Sequence, residues 1–448
     1  MRNIGTTQKR INVGTLVNKV GKIKGELVWV LIGQAAGVLG SILSVRLMTG
    51  LLPPSVYGEL ALGLTAAALV NESIFGPLTN GIIRFYSPAK ESNDVTSYLG
   101  ASRRLVLFAS LAVVLLEIVV ATGMHLLGQT RWIWLILATL FYSLLYGYNG
   151  ILSGVQNAAR QRSIVALHQG AESWTRFLCA TGLILVFGVI SSIAMVGYTL
   201  GIIVVLCSQY IFFRAITRQA TTSPLPTNWQ QKIVSYSWPF CTWSLFTWSQ
   251  ISSDRWALGL FTSTRDVGLY AALYQLGNYP VTLATVTATQ LLAPILFQHA
   301  GHGQDKERNR KVNRYSWQIS MSILGLTCVG ALIALLLHQQ IFHLLVSPKY
   351  APVSPLLPLM LLSSGLWAAG QTVAYSLLSQ LKTQKLIAAK ITTAIVGIGL
   401  NFAGARWYGV KGVVVGGLLF GVIHFAWLAA LSRWEEPSMT NEGQEAGL

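Results

Sequence analysis

The chain has 448 residues, of which 53% are hydrophobic and only 10% charged. About a quarter of a soluble domain's residues are charged, so that class is excluded. The formal net charge of +17 raises nucleic acid as a partner, a question its distribution along the chain decides.

Apolar runs of about 18–27 residues, long enough for a helix to cross a bilayer core, recur along the whole length. They fall at roughly 26–50, 57–86, 105–125, 132–153, 164–188, 191–213, 234–260, 267–297, 316–338, 353–379, 386–407 and 412–432, about twelve in all. Alternate connecting segments hold 24 of the 32 Lys and Arg and the opposite ones only five, the positive-inside pattern. It predicts both termini in the cytoplasm and makes the basic balance a matter of topology, with no nucleic-acid partner.

Absent motifs narrow the chemistry. No G-x-x-x-x-G-K-[ST] loop occurs for a nucleotide, and no His-Glu-x-x-His, Gly-x-Ser-x-Gly or Cys-x-x-Cys. All four cysteines (Cys179, Cys207, Cys241, Cys328) fall inside predicted spans at unpaired spacings and read as small apolar fillers. No catalytic centre, metal or cofactor is predicted.

Along the chain, residues 1–25 form a cytoplasmic arm. There Val13, Leu16, Val17 and Val20 oppose Lys19, Lys22 and Lys24, which suits either an interfacial helix or an unstructured segment. A first six-helix bundle is expected over 26–213. A cytoplasmic linker over 214–232 follows, with Ser223-Pro-Leu-Pro226 in it, then a second six-helix bundle over 233–434 and an acidic cytoplasmic tail over 435–448. The fold class is an all-α polytopic membrane protein.

The bundles are related in sequence. Ser44-Val-Arg46-Leu-Met-Thr-Gly50-Leu51 in the first span and Ser253-Asp254-Arg255-Trp-Ala-Leu-Gly259-Leu260 in the seventh share S-x-R-x-x-x-G-L. After one inserted residue, Gly58-x-x-Ala61 is echoed by Gly268-x-x-Ala271. Six spans per half place the two halves in the same orientation, parallel repeats facing a shared central cavity.

Ionisable residues inside a bilayer are expensive, which makes each a functional candidate. Arg46 and Arg255 suit an anionic headgroup, since a guanidinium grips phosphate with two parallel hydrogen bonds; Asp254 adjoins Arg255. The competing reading has them snorkel to headgroups or brace helix packing. In the fifth span His168, Glu172 and Arg176 stand at i, i+4 and i+8 on one face. They form either a proton relay that reaches a polar substrate or a self-neutralising ladder. Glu72, in Asn71-Glu72 within the second span, is a candidate coupling-ion site, and Glu117 in the third is a weaker one. Arg84, at the cytoplasmic end of the second span, is either a topology anchor or the first captor of a phosphate. Trp132, Trp134, Trp407 and Trp434 fit interfacial belts; Trp238, Trp243 and Trp248 run through the seventh span, facing either sugar rings or lipid.

These segments resemble the polysaccharide, or lipid-linked oligosaccharide, flippases of the multidrug/oligosaccharidyl-lipid/polysaccharide exporter superfamily. Ser44 to Gly58 is similar to the family's apolar-Arg opening with its Tyr57-Gly58 close. Ser253-Asp254-Arg255 leading to Gly268-Leu-Tyr270 is similar to its Asp-Arg and Gly-x-Tyr signature. Leu345 to Tyr350, Leu378 to Lys385 and Tyr408 to Gly412 resemble its closing pattern. Departures exist: Met48-Thr49 stands where an apolar Leu is usual, and the turn Pro53-Pro54-Ser55-Val56 lacks an acidic residue. Glu26 lies only at the edge of the first span, where drug exporters carry a carboxylate well inside.

The resemblance implies two six-helix bundles that open alternately to either side of a bacterial inner membrane. The implied cargo is a polyprenyl-diphosphate-linked glycan repeat unit, such as that of O-antigen. In that reading Arg46, Arg84, Arg176, Asp254 and Arg255 contact substrate. Glu72, His168 and Glu172 couple transport to a proton or sodium gradient, and polymerase or export machinery are partners. Small-molecule drug export within the superfamily and a membrane glycan polymerase remain the alternatives; a polymerase would need a longer outer loop than any here.

Overall fold

A computed structural model describes the backbone of residues 13–218, 227–300, 306–379 and 383–433, without a strand among them. The helices are α1 (Val13–Leu51), α2 (Pro54–Val70), α3 (Gly76–Glu91), α4 (Val95–Leu126), α5 (Ile133–Ala158) and α6 (Arg162–Phe187). They continue with α7 (Ser191–Arg218), α8 (Trp229–Phe261), α9 (Thr264–Ala300), α10 (Lys306–Leu345), α11 (Leu357–Ser379) and α12 (Thr383–Arg433). The predicted tail, the first residues of the arm and the Pro-containing stretch of the linker lie outside the described residues.

Helices and predicted spans correspond with three adjustments. The second span is α2 and α3 joined by a π-helical turn, Asn71–Phe75, so one membrane crossing carries a local over-winding. The last two spans are the two limbs of α12, folded at Gly409. That residue has φ +56°, a backbone region open to glycine because no Cβ collides there. Where the limbs meet, Gly404 and Gly412 are packed so closely that a Cβ on either would overlap the other's carbonyl. At its other end, α1 runs unbroken from Val13 and so begins ahead of the first predicted span.

Start signals are local. Pro54 sits at the first position of α2, where its missing N–H and fixed φ cost nothing. Asn228 caps α8, its side chain accepting a bond from the Gln231 backbone N–H at 3.2 Å.

Eight helical segments among the described residues are long and apolar enough to cross a membrane. Outward faces such as Leu107, Phe108, Leu111, Leu115 and Val119 of α4 are exposed, as a hydrocarbon-facing surface requires. The protein is therefore a multi-pass membrane protein. The helices outside that apolar set, α6, α8 and α9, carry among others Glu172 and Arg176, Asp254 and Arg255, and Gln275.

α1 packs on α6, α6 on α7 and α5 on α7; in the second half α8 and α11 pack on α12, and α10 on α11. The halves join chiefly through α2 on α9 and α3 on α8. The two ends of the molecule are termed here the α1–α2 face and the α3–α4 face.

At the α1–α2 face the halves interlock. Arg46 donates to the carbonyl of Val346, and the Ser347 N–H donates to Thr49 Oγ1 at 3.2 Å. Tyr350 donates its hydroxyl to the Leu52 carbonyl at 3.0 Å and meets the Tyr57 ring edge-on at 5.8 Å. Near the α3–α4 face the buried Trp229 donates from Nε1 to Asp94 Oδ2 at 2.8 Å and packs on Tyr98 and Phe85.

Candidate functional site

The central site is built on α6. Arg176 donates to the Tyr142 hydroxyl at 2.8 Å and lies 3.5 Å from Glu172 Oε1, one helical turn away. The other carboxylate oxygen, Oε2, accepts a bond from Asn149 Nδ2 at 2.7 Å. Tyr198 places its ring 5.9 Å from the guanidinium, and Tyr146 stacks on Tyr142 with centroids 5.8 Å apart. A buried carboxylate is tolerated only when paired and hydrogen-bonded, which this arrangement supplies from α5 and α6 together.

From this cluster Arg176 and Tyr198 line a cavity of about 220 Å³. Ser41 and Ser44 of α1, Ser173 and Arg176 of α6, and Tyr198 of α7 face Gln275 and Tyr279 of α9 across it. Both halves contribute, so its shape depends on how the bundles are set against each other. A fixed guanidinium among hydroxyls and an amide is equipped to bind an anion with many oxygen atoms.

The predicted column on α6 divides. Glu172 and Arg176 pair, while His168 turns to α7, its Nε2 3.1 Å from Ser208 Oγ and its Nδ1 2.7 Å from the Ile164 carbonyl. A carbonyl oxygen only accepts, so Nδ1 carries a proton toward Ile164. Phe212 covers the ring edge-on.

Asp254 and Arg255 also come together. The Arg255 guanidinium lies 3.6 Å from Asp254 Oδ1 and 4.4 Å from the centre of the Tyr274 ring, and Tyr270 donates to Asp254 Oδ2 at 2.6 Å. Arg255 and Arg46 are not among the residues lining the 220 Å³ cavity. For Arg46 the reason is helical periodicity: Ser44 lines the cavity, and two residues further on the side chain has turned by about 200°. Thus Arg46 reaches the α10–α11 corner of the other half instead.

Glu72, in the π-helical turn, is exposed and has no hydrogen-bond or ion-pair partner among the described residues, whereas Asn71 beside it is buried against the Ala67 and Ser143 carbonyls. Arg84 is exposed on α3. Glu117 lies in the wall of an apolar groove of about 760 Å³ between α2, α4, α5 and α8.

Sequence reasoning passed over Tyr142, Asn149, Tyr198, Gln275 and Tyr279. A signal existed for part of this set, since Tyr142, Tyr146 and Asn149 follow i, i+4, i+7 spacing in one span. Nothing local announced Gln275 and Tyr279, which matter only because α9 crosses the first bundle.

Comparison with known proteins agrees with this architecture. The family profile described as "Polysaccharide biosynthesis protein" matches residues 25–300. A search of curated proteins returned no significant match. Among solved structures, the lipid II flippase MurJ in an inward closed conformation superposes with a TM-score of 0.65 at 12% identity, over 91% of this chain and 87% of that one. An inward-facing multidrug resistance MATE family transporter of the MOP superfamily gives 0.63 at 12% identity, over 91% and 96%. An outward-facing MATE family transporter gives 0.54 at 12%, over 90% and 94%. The chain belongs to the polysaccharide biosynthesis protein family and has the fold of MOP-superfamily transporters.

Proposed function

We propose that the protein is a flippase that carries a polyprenyl-diphosphate-linked oligosaccharide, such as a surface-polysaccharide or O-antigen repeat unit, from the cytoplasmic to the outer leaflet of a bacterial inner membrane. The observation that supports this best is Arg176 in the wall of a polar cavity shared by the two bundles. In this reading Arg176 receives the diphosphate, whose charge replaces part of the pairing that Glu172 provides at rest. Arg46, Arg84 and Arg255, with Asp254 as the latter's partner, serve successive stages of the path. Arg46, held by the Val346 carbonyl here, becomes available once the α1–α2 face separates.

The two bundles rock about the shared cavity. Glu72, exposed and unpartnered among the described residues, Glu172 and His168 couple that motion to a proton or sodium gradient. Export of cationic drugs is the less favoured reading, because the charge offered to the cavity is cationic and Glu172 is engaged by Arg176 and Asn149.

The test is complementation in a cell lacking its own flippase. Arg176→Ala is expected to lower surface glycan at least tenfold at normal protein level, with Arg176→Lys restoring part of it. Full surface glycan from both variants refutes the diphosphate role.

A further inference from the structure

The second bundle contains a chamber of its own. It has a volume of about 190 Å³ and lies between α8, α11 and both limbs of α12. Pockets for drug-sized ligands occupy roughly 300–1,000 Å³, so this one suits a single ring rather than a whole repeat unit.

Its lining combines two kinds of surface. Trp243, Phe246 and Trp367 supply flat apolar faces, while Gln250, Gln371 and His424 supply hydrogen-bonding groups. Gln371 Nε2 is 3.4 Å from His424 Nε2, which among the described residues leaves the amide oxygen and a second N–H of Gln371 for another partner. The Gln250 side-chain amide has no partner among the described residues, where only its backbone carbonyl is bonded, by Ser253. Aromatic rings beside amides with unused donors and acceptors match a pyranose, which has apolar ring faces and a rim of hydroxyls. A hydrocarbon chain would leave the amides unsatisfied, and an inorganic anion would find no Lys or Arg among these residues.

We infer that this chamber is a sugar subsite, lined by Trp243, Phe246, Trp367, Gln250, Gln371 and His424, that reads one ring of the glycan on the transported lipid. The inference rests on the flippase reading and adds where substrate selectivity resides. It places diphosphate capture in the first bundle and sugar recognition in the second, so that one cargo bridges both halves.

The experiment uses the full chain purified into lipid nanodiscs and two probes, undecaprenyl diphosphate and undecaprenyl diphosphate bearing one N-acetylglucosamine. The wild type is expected to bind the sugar-bearing lipid about tenfold more tightly. Trp243→Ala is expected to bring that ratio close to one, and Gln250→Leu to lower it at least threefold. Among the described residues Gln250→Leu removes no side-chain hydrogen bond, so it reports on recognition even where Trp243→Ala folds poorly. Equal binding of both lipids by the wild type, or an unchanged ratio in both variants, overturns the subsite while leaving the diphosphate reading intact. Failure to bind either lipid overturns the flippase reading and the subsite with it.

Discussion

Gly58 of α2 and Gly268 of α9 face each other across the two bundles. A Cβ on Gly58 would overlap the Thr264 carbonyl, and one on Gly268 would overlap the Pro54 carbonyl. Each belongs to the Gly-x-x-Ala echo of the sequence repeat, and Ala61 and Ala271 are buried beside them. The repeat therefore packs against itself: small residues let two membrane helices approach backbone to backbone.

Gly58→Ala or Gly268→Ala is expected to disfavour contact at the α1–α2 face. The check is labelling of a single cysteine at Leu52, which is fully buried, after replacement of Cys179, Cys207, Cys241 and Cys328. A membrane-impermeant maleimide should modify Leu52→Cys several-fold faster with the added methyl than without it. An unchanged rate would mean that this helix contact does not set the closure.

Glu172 and Arg176 are expected to be energetically coupled. Glu172→Ala alone leaves a guanidinium short of its counter-charge, and Arg176→Ala alone leaves a carboxylate held, among the described residues, by Asn149. A double-mutant cycle read by thermal unfolding in detergent should give a coupling of about 0.5–3 kcal/mol, the double variant losing less than the two singles combined. Strict additivity would remove the pair from any account of the site.

Trp229→Phe keeps the apolar contact with Tyr98 and Phe85 but deletes the bond to Asp94. A hydrogen bond to a charged group contributes about 1.5–3 kcal/mol, so a lower melting temperature is expected.

Gly409→Ala tests the fold of α12 into two limbs. With φ at +56° and ψ at −136°, a Cβ is strained by about 1–3 kcal/mol, and the variant should lose that much stability. Gly399→Ala, which meets open space, is the matched control and should be close to neutral or slightly stabilising.

Much of the architecture was legible because a bilayer imposes a length and a polarity on every crossing. The apolar runs marked the spans, and the repeated S-x-R frame marked two equivalent halves. The i, i+4, i+8 spacing set Glu172 and Arg176 on one face, and a pair one turn apart can be foreseen from helix geometry alone. Two boundaries escaped this reading. The π-helical turn at Asn71–Phe75 and the reversal at Gly409 are decided by packing and by one residue's φ, neither of which alters hydropathy.

By itself, then, the order of residues determined the membrane class, the doubling and the short-range ion pair, since these depend on composition and helical periodicity. Only the tertiary structure decided that Arg46 ties α1 to the α10–α11 corner while Arg176 opens onto the shared cavity. Both arginines lie inside predicted spans. What separates them is the rotation of each helix about its axis, and that is set by which helix packs against which.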